Sequence, residues 1–151
     1  MSWMSRQAPS IEAAAAVVTA FVAVAALIGV KVQLDAADRL QKAQSAREAY
    51  RAHLALAATL PQFAQPADTC QLLHSEQAGA YAAFVDHLLY SAEQMLDVSD
   101  GWDATFLAQL AVHSDYICSA HGPVGETEDT VRLLRRFEDL NCSASAVCDG
   151  S

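Results

Sequence analysis

From Ala13 to Val30 the chain reads AAAAVVTAFVAVAALIGV, eighteen residues with no charge, no proline and one hydroxyl. As a helix, at ~1.5 Å per residue, such a run reaches about 27 Å, close to the roughly 30 Å hydrocarbon core of a bilayer. Two alternatives compete. A buried core helix can be as apolar, but a chain of 151 residues has little protein with which to surround one on all sides. A cleavable signal peptide has a basic leading region and a shorter apolar core. Here only Arg6 precedes the run, and the bulkier Leu27, Ile28 and Val30 come last. The reading adopted is a retained transmembrane helix over residues 11–32, after a short tail, 1–10, with Ser10 as its N-cap.

The polar pattern then changes without a break in helix-forming composition. No proline occurs from Ile11 to Leu60, and Gly29 is the one glycine there. The spacing predicts a single helix that leaves the membrane as a juxtamembrane extension, 33–60, and stops before Pro61, because the residue preceding a proline is pushed out of the helical region. Ala36, Leu40, Ala43, Arg47, Tyr50, Leu54 and Ala57 follow a 4-3 spacing along it. With small alanines and an arginine in the stripe, this reads as one face of the following domain rather than a free-standing coiled coil.

Residues 61–76 form a connector with a short helix from Asp68. A helix over about 77–96 carries a wide stripe: Tyr81, Phe84, Val85, Leu88, Leu89, Ala92, Met95 and Leu96. A turn, 97–101, follows, and Asp100 is the expected cap of a helix over about 102–118, whose core candidates are Phe106, Leu107, Leu110, Ala111 and Ile117. These two helices are expected to pack as an antiparallel hairpin. A loop, 119–126, leads to a last helix over about 128–140, capped by Thr127 and burying Val131, Leu134, Phe137 and Leu140. Residues 142–151 have the composition of a disordered tail. With no strand alternation, the fold class is all-α: an N-terminal transmembrane helix continuing into a long helix, then a small antiparallel helical bundle over 61–141.

Charge narrows the partners. The formal net charge is −9, and from Pro61 onward fourteen Asp and Glu face three Lys and Arg. Nucleic acid binding needs a basic stripe against phosphates, so nucleic acid is not an expected partner. The bilayer is. A second copy, or another membrane protein, is a further expected partner, through the small residues Ala16, Ala20, Ala23 and Gly29, whose spacing lets helix backbones approach closely.

Orientation follows basic residues near the span. Lys31, Arg39, Lys42, Arg47 and Arg51 follow it and Arg6 precedes it, which favours a cytoplasmic domain in a cell inner membrane. Four cysteines pull towards the periplasmic alternative, since an even number in an exported domain suggests two disulfides. Cys142 and Cys148 bracket a local loop, and Cys70 with Cys118 is a second pairing.

Chemistry-bearing residues are sparse. Cys70 and His74, with Cys118 and His121, supply the ligand types zinc prefers, though the spacing matches no common finger. Glu93 and His113 lie on the two hairpin helices, where a carboxylate orienting an imidazole would begin an acid–base site, or merely satisfy a buried polar pair. His87 lies on a polar flank and reads as solvated. No glycine-rich phosphate loop is present, and Asp97 to Asp103 lacks the acidic spacing and closing glutamate of a calcium loop. No cofactor is expected.

The apolar start flowing into VKVQLDAADRLQKAQSAREAYRAH, the proline-containing LPQFAQP, then YAAFVDHLLYSAEQML and FLAQLAVHSDYICS make a layout that resembles bacterial single-pass membrane proteins of uncharacterised function over most of residues 11–119. The resemblance implies an inner-membrane anchor with a helical domain. It carries no catalytic residues over. The function expected is a membrane-tethered interaction module, an accessory or regulatory subunit of a membrane complex. The alternative is a small membrane-bound metal-dependent enzyme or sensor using the Cys, His and Glu residues above.

Overall fold

Between Ile11 and Leu60 nothing stops a helix once it has started, because propagation adds one hydrogen bond per residue fixed. A computed structural model of the chain, which describes residues 3–142 and 148 with side chains from Ala15 onward, carries this helix, α1, over Trp3–Thr59. It begins ahead of Pro9, so Ser10 is inside the helix rather than its N-cap, and residues 3–10 are not a separate tail. The rest of the fold is a series of shorter helices, and no strand occurs among the described residues.

Pro61 ends α1 and opens α2 (Pro61–Ala64), where its missing N–H has no partner to lose. Asp68 caps α3 (Thr69–Leu73) by accepting from the Gln71 N–H at 2.8 Å. Helix α4 (Ala78–Val98) is the central element. Its stripe is buried as the spacing predicts, except that Leu96 is half-exposed. Gly101, at φ +86°, turns the chain after α4, a conformation open to glycine. Helix α5 (Asp103–Leu110) then starts behind Trp102 with no side-chain cap, so Asp100 does not cap it.

The predicted helix over 102–118 is not continuous. A 3₁₀ turn, Ala111–His113, separates α5 from α6 (Ser114–Ile117). Three residues per turn instead of 3.6 rotate the buried face. His113 and Tyr116 thereby go inside and Ala111 comes out. Helix α7 (Glu128–Asn141) starts with a reciprocal box: Thr127 Oγ1 accepts from the Thr130 N–H, and Thr130 Oγ1 accepts from the Thr127 N–H. Its buried stripe is Thr130, Leu133, Leu134 and Phe137, while Leu140 is exposed and Val131 half-exposed. Helix α7 lies against both α4 and α5, and α3 against α4 and α6.

The chain divides into two units, Met1–Gln41 and Lys42–Ser151. The second starts inside α1 rather than at Pro61. Its face on α1 includes Ala43, Ala46, Tyr50, His53 and Ala57, of which Ala46 and His53 are buried. The expected seam held Arg47 and Leu54 instead, and both are exposed. Ala43, Tyr50 and Ala57 are common to the two stripes, so the true face is turned by about one residue, trading an arginine for an alanine and a leucine for a histidine. The core around it includes the fully buried Tyr81, Phe106, Leu110 and Phe137. Burying side chains of this size contributes ~1.5–3 kcal/mol each.

In the first unit the described residues hold one helix long and apolar enough to cross a membrane. Its large side chains face outward, with Phe21 72% and Leu27 70% exposed.

All four cysteines are in disulfides. Cys70 pairs with Cys148 and Cys118 with Cys142. Neither the Cys142–Cys148 loop nor the Cys70–Cys118 bridge forms. Apart from Cys142 and Cys148, the predicted tail over 142–151 lies outside the described residues.

Candidate functional site

Helix α4 turns one face to the core and its flank to the segment before α7. Between them runs a groove of about 600 Å³. Asp86, His87, Tyr90 and Glu93 line it from α4, at positions three and four apart that share one side of a helix. Glu126 and Val124 line it from the loop, and Tyr116 from α6. The loop is held close by two glycines. A Cβ on Gly125 would lie 2.6 Å from the Val131 nitrogen, and one on Gly122 would lie 2.3 Å from the Ile117 carbonyl oxygen. Val124 stands 86% exposed at the groove edge.

The groove is acidic. Asp86, Glu93 and Glu126 supply three carboxyl groups, and among the described residues no Lys or Arg lines it. Burial raises the Asp86 carboxyl above its ordinary value, and the nearby Glu126 carboxylate raises it further. The Tyr116 phenol is raised by burial and then by Asp86. Three carboxyl groups beside the rings of His87, Tyr90 and Tyr116 make a surface suited to a cation, through charge and through ring faces.

Behind His87 lies a line of buried imidazoles. His53, on α1, is 4% exposed and stacks on His87 at 5.6 Å between ring centroids. His53 also meets Phe84, tilted, at 5.0 Å, and Phe84 in turn meets His113 at 5.9 Å. Burial lowers both His53 and His113 to about 4, with a smaller contribution from His87 on the first and from His53 on the second. Both are therefore neutral near pH 7. Tyr81 Oη lies 2.9 Å from His113 Nδ1, and burial pushes the Tyr81 phenol up to about 12. A protonated phenol and a neutral imidazole each hold one proton and one acceptor site, so the pair is satisfied without a charge on either ring.

The structure does not bring Glu93 and His113 together. Glu93 is half-buried in the groove, whereas His113 is in the core with Tyr81 as its partner. His87 is half-buried rather than freely solvated, with its Nδ1 shielded from solvent. The four-ligand zinc set is not assembled either. Cys70 and Cys118 are in different disulfides, and a sulfur so bonded lacks the thiolate that zinc takes. His74 and His121 do come together, lining a separate recess beside Cys148.

His53 is the residue that the sequence reading missed. Its signal is the spacing Ala46, Tyr50, His53, Ala57, which a stripe anchored on Leu54 obscures. No known family matches the chain, and no curated protein or solved structure is similar to it.

Proposed function

We propose that this chain is a membrane-tethered helical interaction module, an accessory subunit whose acidic groove receives a basic segment of a partner protein. The observation that carries the anchor is the outward face of α1. Ten large apolar side chains between Val17 and Leu34 are each more than half exposed. Water around that surface costs about 25 cal/mol per Å² relative to an apolar surrounding, which a bilayer supplies without further protein. Supporting the binding role are the three carboxyl groups of the groove, with no Lys or Arg among its described lining residues.

The anchor belongs to a cell inner membrane in this proposal, as the resemblance to bacterial single-pass proteins implies. The compartment of the distal unit is argued from the two disulfides, which persist in oxidising surroundings. This favours the periplasmic side. The basic residues after the span favour the cytoplasmic side, but they express a bias in insertion, whereas paired cysteines persist only where no reducing thiol pool reopens them.

Alkaline carbonate extraction of native membranes tests the anchor: the protein is expected in the pellet, and recovery in the supernatant rejects it. Maleimide labelling of protein denatured directly from cells tests the compartment. The expectation is labelling only after reduction, and four labels without reduction reject the oxidising side. Photo-crosslinkers placed at Tyr90 and Val124 test the groove. A crosslinked partner lost in an Asp86→Lys, Glu126→Lys variant is expected, and a strictly monomeric protein with no adduct rejects the binding role.

A further inference from the structure

The two disulfides have different surroundings. Cys118 and Cys142, at the ends of α6 and α7, pack against the hydrophobic core. Cys148 instead lines an open recess of about 440 Å³, together with His74, His121 and Ser119. The wall beside them is built from small residues of α4, Ala78, Gly79 and Ala82, and a Cβ on Gly79 would meet nothing within 4 Å. Space for an incoming sulfur therefore adjoins one disulfide, with two exposed imidazoles around it.

We infer that Cys70–Cys148 is a thiol–disulfide exchange site, opened by a dithiol that enters the recess, while Cys118–Cys142 is a structural crosslink that does not exchange under the same conditions. Exchange requires an attacking thiolate, access to one sulfur, and a leaving sulfur whose thiolate is favoured. The recess gives access to Cys148 Sγ. A thiolate of the dithiol forms a bond to that sulfur, the Cys70–Cys148 bond breaks, and the electron pair leaves on Cys70 Sγ. The second thiol of the reagent, losing its proton to water, attacks the mixed disulfide and releases Cys148 as a thiolate. Both released thiolates take up protons from water. The reagent ends as a disulfide, oxidised by two electrons, and the protein as two thiols.

The imidazoles favour the leaving groups. His74 follows Cys70 by four residues, and its Nδ1 is 2.7 Å from the Cys70 carbonyl oxygen, which holds the ring beside the sulfur-bearing residue. His121 approaches from the segment after α6. Once protonated, a ring beside a departing sulfur offers a positive charge and an N–H that stabilise its thiolate; on His74 that N–H is Nε2, since Nδ1 is engaged by the Cys70 carbonyl oxygen. Opening Cys70–Cys148 detaches residue 148 from α3 and leaves the α6–α7 crosslink in place.

The test uses the full-length oxidised protein in detergent micelles. Dithiothreitol is added over a concentration series, samples are quenched with N-ethylmaleimide, and mass spectrometry reads which cysteines carry the label. Cys70 and Cys148 are expected to label at least tenfold faster than Cys118 and Cys142, while far-UV circular dichroism holds its native value. Equal rates for the two pairs, earlier opening of Cys118–Cys142, or opening only when the helical signal is lost would overturn the inference. A double variant, His74→Gln with His121→Gln, keeps polar side chains of similar size at both positions. It is expected to slow opening of Cys70–Cys148 severalfold and leave the other pair unchanged. An unaltered rate would remove the imidazoles from the site.

Discussion

His53 on α1 and His87 on α4 stack with an interplanar angle of 23°, and on each the Nδ1 is buried with no protein partner. A neutral imidazole tolerates that position, but a protonated one requires an acceptor there. His53 and His113 tie the stability of the distal unit to pH. His53 and His113 are lowered to about 4 in the fold from an ordinary value of 6.5. Between those values the unfolded chain binds protons that the folded chain refuses, so stability is full above about pH 6.5, falls towards pH 4 and levels off below. Asp86 acts in the opposite sense at low pH, because its raised carboxyl takes up a proton in the fold first. Urea midpoints measured from pH 7.5 to 4.0 should fall through this window. A His53→Phe variant should show a shallower slope, and an unchanged slope would remove His53 from this role.

Tyr81→Phe removes one oxygen from a fully buried side chain and leaves His113 Nδ1 without its partner. A buried polar group stripped of its partner costs about 1–3 kcal/mol. The expected loss is of that size in chemical denaturation, with the helical content at low denaturant unchanged. A loss below ~0.5 kcal/mol would mean that water reaches the imidazole.

Gly125→Ala and Gly79→Ala should move stability in different directions. At Gly125 the new methyl meets the backbone of Thr130 and Val131, which cannot give way without shifting the start of α7. Overpacking of this kind costs about 1–3 kcal/mol. At Gly79 nothing is within reach, and alanine is the better helix former, so the change is expected to be neutral or stabilising by up to ~1 kcal/mol. Thermal melts of the two variants side by side provide the measurement.

Thr127→Ala breaks the reciprocal box at the start of α7 and frees the Thr130 N–H. Loss of such a cap costs typically ~1 kcal/mol. Thr127→Ser retains the oxygen and should recover most of it. Equal losses in the two variants would assign the effect to the methyl group instead.

The parts of this fold that could be read from the chain are those with a local cause. Pro61 ends α1 and Thr127 starts α7, because sterics and caps act within a few residues. Where a residue's place depends on a neighbour distant in the chain, the reading drifts. Leu54 looked more core-like than His53, yet the face of α1 is chosen by what α4 presents, and Phe84 and His87 present rings. The 3₁₀ turn at Ala111–His113 exchanges Ala111 for His113 and Tyr116 in the core, and no proline or glycine announces it. The groove is similarly non-local. Asp86 and Glu126 are forty residues apart in the chain, and the loop that joins them closes through glycines whose role is to have no side chain. Disulfide pairing lies furthest from sequence, since four cysteines allow three connectivities.

Since the second unit begins at Lys42, within α1, the apolar run and part of the core share one uninterrupted backbone. The exposed turn at Pro61 would look like the natural place for a protease to release a soluble fragment. A cut there would carry Ala46, Tyr50 and His53 away with the apolar run, and the remainder would lose a wall of its interior. Release with the fold intact needs a scissile bond upstream of Lys42, where the chain is helical and must locally melt to enter a protease cleft. Shedding of the distal unit is thus coupled to helix opening, and its half-life against proteolysis should follow the stability of the middle of α1.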